Sequence, residues 1–217
     1  MTAPVLEPTA EGVETAAACI ADGGVVVAPS DTNMALTVDP DDADAIERVY
    51  GIKDRPTHKP LTLFVRDPDD WRTFGTHPDP EVVDALIEAF WPGPLNLVVE
   101  QADSGQHERL SMDGTVSIGC LSNPVWRDLA AAVDGPLAMT SANESGTVDD
   151  DTLITVDRAL DHVGDAVDYV LAGDPQGTTR ASAILSLAAG DDGEATMLRR
   201  GDIDAEAIES ATPLRVD

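Results

Sequence analysis

Residues 25–36 read VVVAPSDTNMAL. Three valines and an alanine in succession make a short β-branched run without polar alternation, the pattern of a strand covered on both faces. Pro29 closes the run, and Ser30, Asp31 and Thr32 follow as a polar loop. Helices must supply that cover, and in open α/β sheets ligands collect where strands empty into loops. The segment therefore predicts an α/β fold with a polar site beginning at residue 30.

The flanking sequence agrees. Thr9 is placed to cap a helix through VETAAACIAD, which Gly23-Gly24 stops. Apolar periodicity predicts further helices over 41–51, 80–90, 124–133 and 155–163. Strands are expected at 61–65, 95–100, 115–120, 136–140, 168–171, 182–187 and 195–199. Neither an internal repeat nor a Gly/Ser or Pro-rich linker divides the 217 residues. The expectation is one α/β domain over 1–217, a twisted, mixed open sheet flanked by helices.

Composition narrows the function. With 41 acidic and 13 basic residues the formal net charge is −28, and the acid is dispersed in clusters such as DPDDADAIE at 39–47. Scarce lysine and dispersed acid resemble cytoplasmic proteins of salt-loving microbes, where like-charge repulsion is screened. Such a chain is not expected to hold nucleic acid through a broad basic face, so partners are expected to be small anions in a pocket. Cys19 and Cys120 suggest neither a disulfide nor a zinc set, and His58, His77, His107 and His162 lack metal-ligand spacing. MTAPVLEPTAEG has neither a basic start nor an apolar run, and no segment approaches the ~20 apolar residues of a membrane span. A cytoplasmic protein without membrane partners is expected.

Against that acidity, IKDRPTHKPLTL at 52–63 holds both lysines of the chain, Lys53 and Lys59. Lys53 and Arg55 stand two apart after a predicted helix, and Pro56 enforces an extended path from which both could reach one pocket. A compact ammonium beside a planar guanidinium suits phosphate oxygens, although pairing with nearby carboxylates is the plainer account of a lone Lys-x-Arg. TSANESG at 140–146 offers hydroxyls, an amide and a glycine at a strand end, able to bond phosphate or ribose or to form an ordinary turn. LRRG at 198–201 adds two arginines after a strand, and FWPGPLNLVV at 90–99 reads as packing around a Pro-Gly-Pro turn. Neither G-x-x-x-x-G-K-[ST] nor G-x-G-x-x-G occurs, so a nucleotide site must be built otherwise.

Taken in order, these motifs over about residues 12–205 resemble the YrdC-like family, the threonylcarbamoyl-adenylate synthases of tRNA threonylcarbamoyladenosine formation, in single-domain form. The family pattern runs from Pro-Thr-Asp-Thr-x-Tyr-Gly-Leu through Lys-x-Arg-Pro, Trp-Pro-Gly-Pro and Thr-Ser-Ala-Asn-x-Ser-Gly to a Ser-Thr strand and Arg-x-Gly. The resemblance implies a reaction: L-threonine captures bicarbonate or CO2, and the carbamate attacks the α-phosphate of ATP, releasing pyrophosphate. Positioning and charge stabilisation dominate such chemistry. It further implies Lys53 and Arg55 as catalytic and nucleotide-binding groups, with Lys59, Thr115, Asn143 and Arg199 also on the nucleotide. Thr32, Ser141 and Ser182 would line the amino-acid pocket. Magnesium is expected with ATP, without an identifiable ligand motif, and tRNA-modification enzymes are candidate partners.

Departures from the pattern concentrate in the threonine half. Gly119 stands where the family has an arginine resembling a carboxylate clamp, Phe64 where some members have histidine, and Asn96 where threonine follows Trp-Pro-Gly-Pro. Asn33, Met34 and Ala35, Leu121 and Ala183 also differ. Arg180 is the one nearby replacement cation that the sequence offers. Besides the synthase, two alternatives stay open: a paralogue that keeps a nucleotide or RNA pocket as a binding module, and a synthase for another amino acid or carbamoyl donor.

Overall fold

The computed structural model describes residues 2–102, 105, 107–149, 152–173, 177–188 and 194–217. It opens with β1 (Val5–Leu6), α1 (Ala10–Ala21), β2 (Val26–Pro29), β3 (Met34–Val38) and α2 (Ala43–Lys53). The middle contains β4 (Thr62–Phe64), α3 (Trp71–Phe74), β5 (Gly75–Thr76), α4 (Pro80–Phe90), β6 (Leu95–Gln101), β7 (Ser111–Met112), β8 (Thr115–Gly119) and α5 (Pro124–Val133). It ends with β9 (Leu137–Ser141), α6 (Val156–Val163), β10 (Tyr169–Leu171), β11 (Ala183–Ser186), β12 (Glu194–Arg199), α7 (Ala205–Ala211) and β13 (Arg215–Val216).

Side-chain caps fix where the helices start. Thr9 accepts from the Gly12 amide at α1, Asp42 from Ala45 at α2, and Asn123 from Val125 and Trp126 at α5, each supplying a partner to an orphan first-turn donor. The Asp42 cap moves α2 from the expected 41–51 to 43–53. The shift makes Lys53 the last residue of the helix, with Asp54 turning the chain at φ 46°.

The strands form one mixed sheet, ordered β1-β10-β2-β3-β9-β4-β8-β6-β11-β12-β13, with β5 added on β6 and β7 on β8. β2 lies parallel to β10 and antiparallel to β3. β3 was not foreseen: residues 34–38, expected as loop, pair with both β2 and β9. Its five residues are all buried, so β-pairing on both edges outweighs the turn character of Ser-Asp-Thr-Asn just before it.

Both faces of β2 are covered, as its valine run requires. Val27 joins Leu36, Ile46 and Val49 beneath α2 and α6, whereas Val26 and Ala28 join Ile20, Trp126 and Leu129 beneath α1 and α5. A third cluster packs α4 and α7, through Leu86 and Ile208, on Leu97, Ile118 and Leu185 of the far half of the sheet. Each such side chain fully buried contributes about 1.5–3 kcal/mol relative to exposure. No helix among the described residues is long and apolar enough to cross a membrane.

Candidate active site

A cavity of about 600 Å³ lies on one face of the central strands. Its floor follows from the two-residue repeat of a strand: Thr62 and Phe64, Thr115 and Ser117, and Asn96 and Val98 face it. The residues between them, Leu63, Val116, Ile118 and Leu97, are buried. Register aligns the floor into rows, one of which runs Phe64, Gly119, Asn96, Ile184, Arg199 across five strands. Met112 and Leu198, 42% and 58% exposed, form an apolar lip.

Charge distinguishes this surface from the rest of the molecule. Arg55, Lys59 and Arg199 line the cavity together with His58, and among the described residues no aspartate or glutamate does. With 41 acidic residues in 217, about four would be expected among as many lining positions drawn at random, so the absence is a property of the site. Arg55 is held firmly. Its Nε donates to the Lys59 carbonyl at 2.8 Å, Nη2 to the Pro60 carbonyl at 2.8 Å and Nη1 to Thr140 Oγ1 at 3.1 Å. A guanidinium has five N–H donors, so these three bonds do not exhaust it.

Lys53 behaves differently from Arg55. It does not line the cavity, and its side chain is 1% exposed, with Nζ donating to the carbonyls of Ser141 and Asn143. The Ser145 amide returns a bond to the Lys53 carbonyl. Lys53 thus clamps the 141–145 loop from beneath, and the extended path foreseen for both cations delivers only Arg55 to the cavity. Burial, reinforced by the Arg55 charge, pushes the Lys53 ammonium down to about 7. Ser141 reaches the lining, while Asn143 is buried behind it with its amide on the Glu144 carbonyl.

Thr32 lines the cavity in contact with Ser182: their hydroxyls are 3.4 Å apart, and Ser30 Oγ lies 3.5 Å from Thr32 Oγ1. Ser182 itself does not line the cavity; its carbonyl accepts from Arg199 Nε at 2.8 Å and so aims that arginine. Asp31 turns away to accept from the Ser122 and Asn123 amides, tying the loop to the start of α5. Burial raises its pKa despite these bonds. Thr115 stands in the lining with Oγ1 on the Met112 carbonyl.

At the Gly119 end no side chain can be added without displacement. A β-carbon there would stand 2.5 Å from Phe64 Cε1 and 2.7 Å from Asn96 Oδ1. Three departures from the family pattern, far apart in sequence, are therefore neighbours in one row. Arg180 does not replace the missing cation: it is exposed beside Asp202, whose carboxylate it helps to hold below the ordinary range. Asn96 and Ser117 were missed as site residues, although the polar positions recurring at every second residue of otherwise apolar strands mark them. Among the described residues no group of three or more His, Cys, Asp or Glu could hold a metal ion.

The profile of the Sua5/YciO/YrdC family, described as "Telomere recombination", matches residues 18–201. The chain belongs to this family. A Mycobacterium tuberculosis relative is 31% identical over 204 residues, 93% of this chain and 89% of its own. A Pseudomonas putida protein named threonylcarbamoyl-AMP synthase is 32% identical over 187 residues, 82% of this chain and 94% of its own. Among solved structures, P. abyssi Sua5 complexed with L-threonine superposes with a TM-score of 0.86 at 21% identity, covering all of this chain and 63% of that one. E. coli YciO gives 0.81 at 21% identity, covering 96% of this chain and 100% of its own. The fold expected from the sequence is the fold of these structures.

Proposed function

We propose that the protein is a threonylcarbamoyl-AMP synthase. A carbamate formed on the L-threonine amine from bicarbonate or CO2 attacks the α-phosphorus of ATP through a carboxyl oxygen. The α–β bridging bond breaks and pyrophosphate leaves. The observation that carries this reading is a cation-lined cavity, without an acidic lining residue among the described residues, in a chain of net charge −28. Relatives named for this activity match most of the chain, which supports the same assignment.

On this reading Arg55, Lys59 and Arg199 neutralise the triphosphate, Thr115 and Ser141 add neutral contacts, and Thr32 faces the amino acid. Lys53, Asn143 and Ser182 act one layer out, holding the carbonyls and the arginine that meet substrate. Magnesium arrives on the ATP phosphates, needing no protein cluster of its own. The product is a mixed anhydride destined for tRNA modification, which suits a cytoplasmic enzyme working beside other tRNA-modifying proteins. The alternative of a binding module is favoured by one observation, the lack of a cation at Gly119.

The test is pyrophosphate release from ATP with magnesium and bicarbonate in high KCl, with and without L-threonine. Threonine-dependent release is expected. ATP binding without such release, over a range of salt, would assign the chain to the binding-module alternative.

A further inference from the structure

Among the described residues, three of the four basic side chains that line the cavity, Arg55, His58 and Lys59, stand on one short segment between α2 and β4. The path of that segment therefore sets where most of the cavity's positive charge points. Tyr50, a buried member of the core beneath α2, ties the segment down. Its carbonyl accepts from the Arg55 amide at 3.0 Å, and its hydroxyl donates to the Lys59 carbonyl at 2.7 Å. The Arg55 guanidinium carbon lies 6.0 Å from the centre of the Tyr50 ring, at the outer reach of a cation–π attraction. Just past the segment, the Leu61 amide donates to the Arg109 carbonyl at 2.9 Å. The Arg109 guanidinium carbon is 5.0 Å from the centre of the same ring, and its Nε donates to Glu47 on α2 at 2.7 Å.

The Lys59 carbonyl does not need the phenol in order to be satisfied, because Arg55 Nε already donates to it at 2.8 Å. Nor does core packing need the hydroxyl, since a phenylalanine ring would fill the same space. What the hydroxyl adds is a fixed point. One carbonyl bonded at once to a core residue and to Arg55 holds the turn and the guanidinium in register with each other. We propose that Tyr50 is a positioning residue of this cavity, its hydroxyl on the Lys59 carbonyl and its ring beside Arg55 together directing Arg55 and Lys59 toward the phosphates of the nucleotide. This rests on the synthase reading and adds which residue aims the cations that the reading uses. Tyr50 does not itself line the cavity, so its effect on the nucleotide runs through the two cations. Charge stabilisation of a phosphate depends on where the cation is held, and a small displacement is enough to weaken it.

The experiment uses Tyr50→Phe, which keeps the ring and loses only the hydroxyl. Binding of α,β-methylene-ATP with magnesium is measured by calorimetry, and KM for ATP and for L-threonine by pyrophosphate release. The Kd of the analogue and the KM for ATP are expected to rise about fivefold, the worth of one hydrogen bond, while the KM for threonine stays unchanged. In an Arg55→Gln background the same substitution should have a smaller effect on the Kd, because part of what Tyr50 directs is gone. Unchanged affinity for the analogue in Tyr50→Phe overturns the assignment, and so do losses that simply add in the double variant. Equal losses for both substrates, together with a lowered melting temperature, also overturn it, since they describe a residue that only holds the fold together. Wild-type binding of the analogue without threonine-dependent pyrophosphate release overturns the synthase reading and leaves the role of Tyr50 to the calorimetric cycle. Failure of the wild type to bind the analogue overturns both.

Discussion

Lys53 Nζ bonds two carbonyls and Arg55 makes three hydrogen bonds to protein acceptors, whereas elsewhere in the same cavity Asn96 Oδ1 has none. The two regions flank one cavity, yet one is satisfied from within and the other is not. A satisfied network fixes backbone in place, so Lys53 and Arg55 hold the 141–145 loop and the Lys59–Pro60 turn in position. A buried acceptor without a donor costs the fold free energy. The Lys53 end is therefore the part whose disruption should lower stability, whereas the Asn96 end is one where a polar atom contributes no bond.

The largest expected effect comes from breaking the first region. Lys53→Met leaves the Ser141 and Asn143 carbonyls without their donor and should cost about 3 kcal/mol in urea denaturation at pH 7. The loss should grow with pH. In the folded protein Lys53 gives up its proton near 7, whereas the unfolded chain holds it to about 10.5. Raising the pH through that interval relieves the buried charge and stabilises the wild type relative to the variant. A difference in stability that stays flat between pH 7 and 9 would mean that the ammonium is not burdened by its burial.

A middle-sized effect sharpens the second region. Gly119→Arg should destabilise by about 1–3 kcal/mol, because Phe64 and Asn96 already occupy the space above the glycine. Combining it with Phe64→Ala should recover part of that cost, giving a coupling of about 1 kcal/mol in a double-mutant cycle. Additive losses would show that the ring and the glycine are independent substitutions. The smallest effect is Thr115→Val at the β7 end of the floor, where one hydrogen bond to the Met112 carbonyl is lost. Stability should drop by no more than about 1 kcal/mol, and the KM for ATP should rise a few-fold. A larger stability loss would move Thr115 from the cavity floor into the supporting structure.

Much of the fold was legible because its signals are local. The valine run at 25–29, the Thr9 cap and the Pro-initiated helices at 80 and 124 declare themselves within a few residues, and the structure keeps them. Asp42 illustrates the limit: two adjacent aspartates could each cap, and the one chosen starts α2 at Ala43, from where the helix runs on to Lys53. β3 was lost for a related reason, since its strand character comes from partners on β2 and β9 more than 100 residues apart from each other.

By itself the sequence determined the α/β class and the family, because motifs and periodicity are written in consecutive residues. Only the tertiary structure decided that Arg55 enters the cavity while Lys53 holds the 141–145 loop, that Arg180 lies beside Asp202, and that Phe64, Gly119 and Asn96 share a row. The physical reason is that direction and adjacency depend on strand register and on which buried polar atoms find partners, and both are settled between segments distant in the chain.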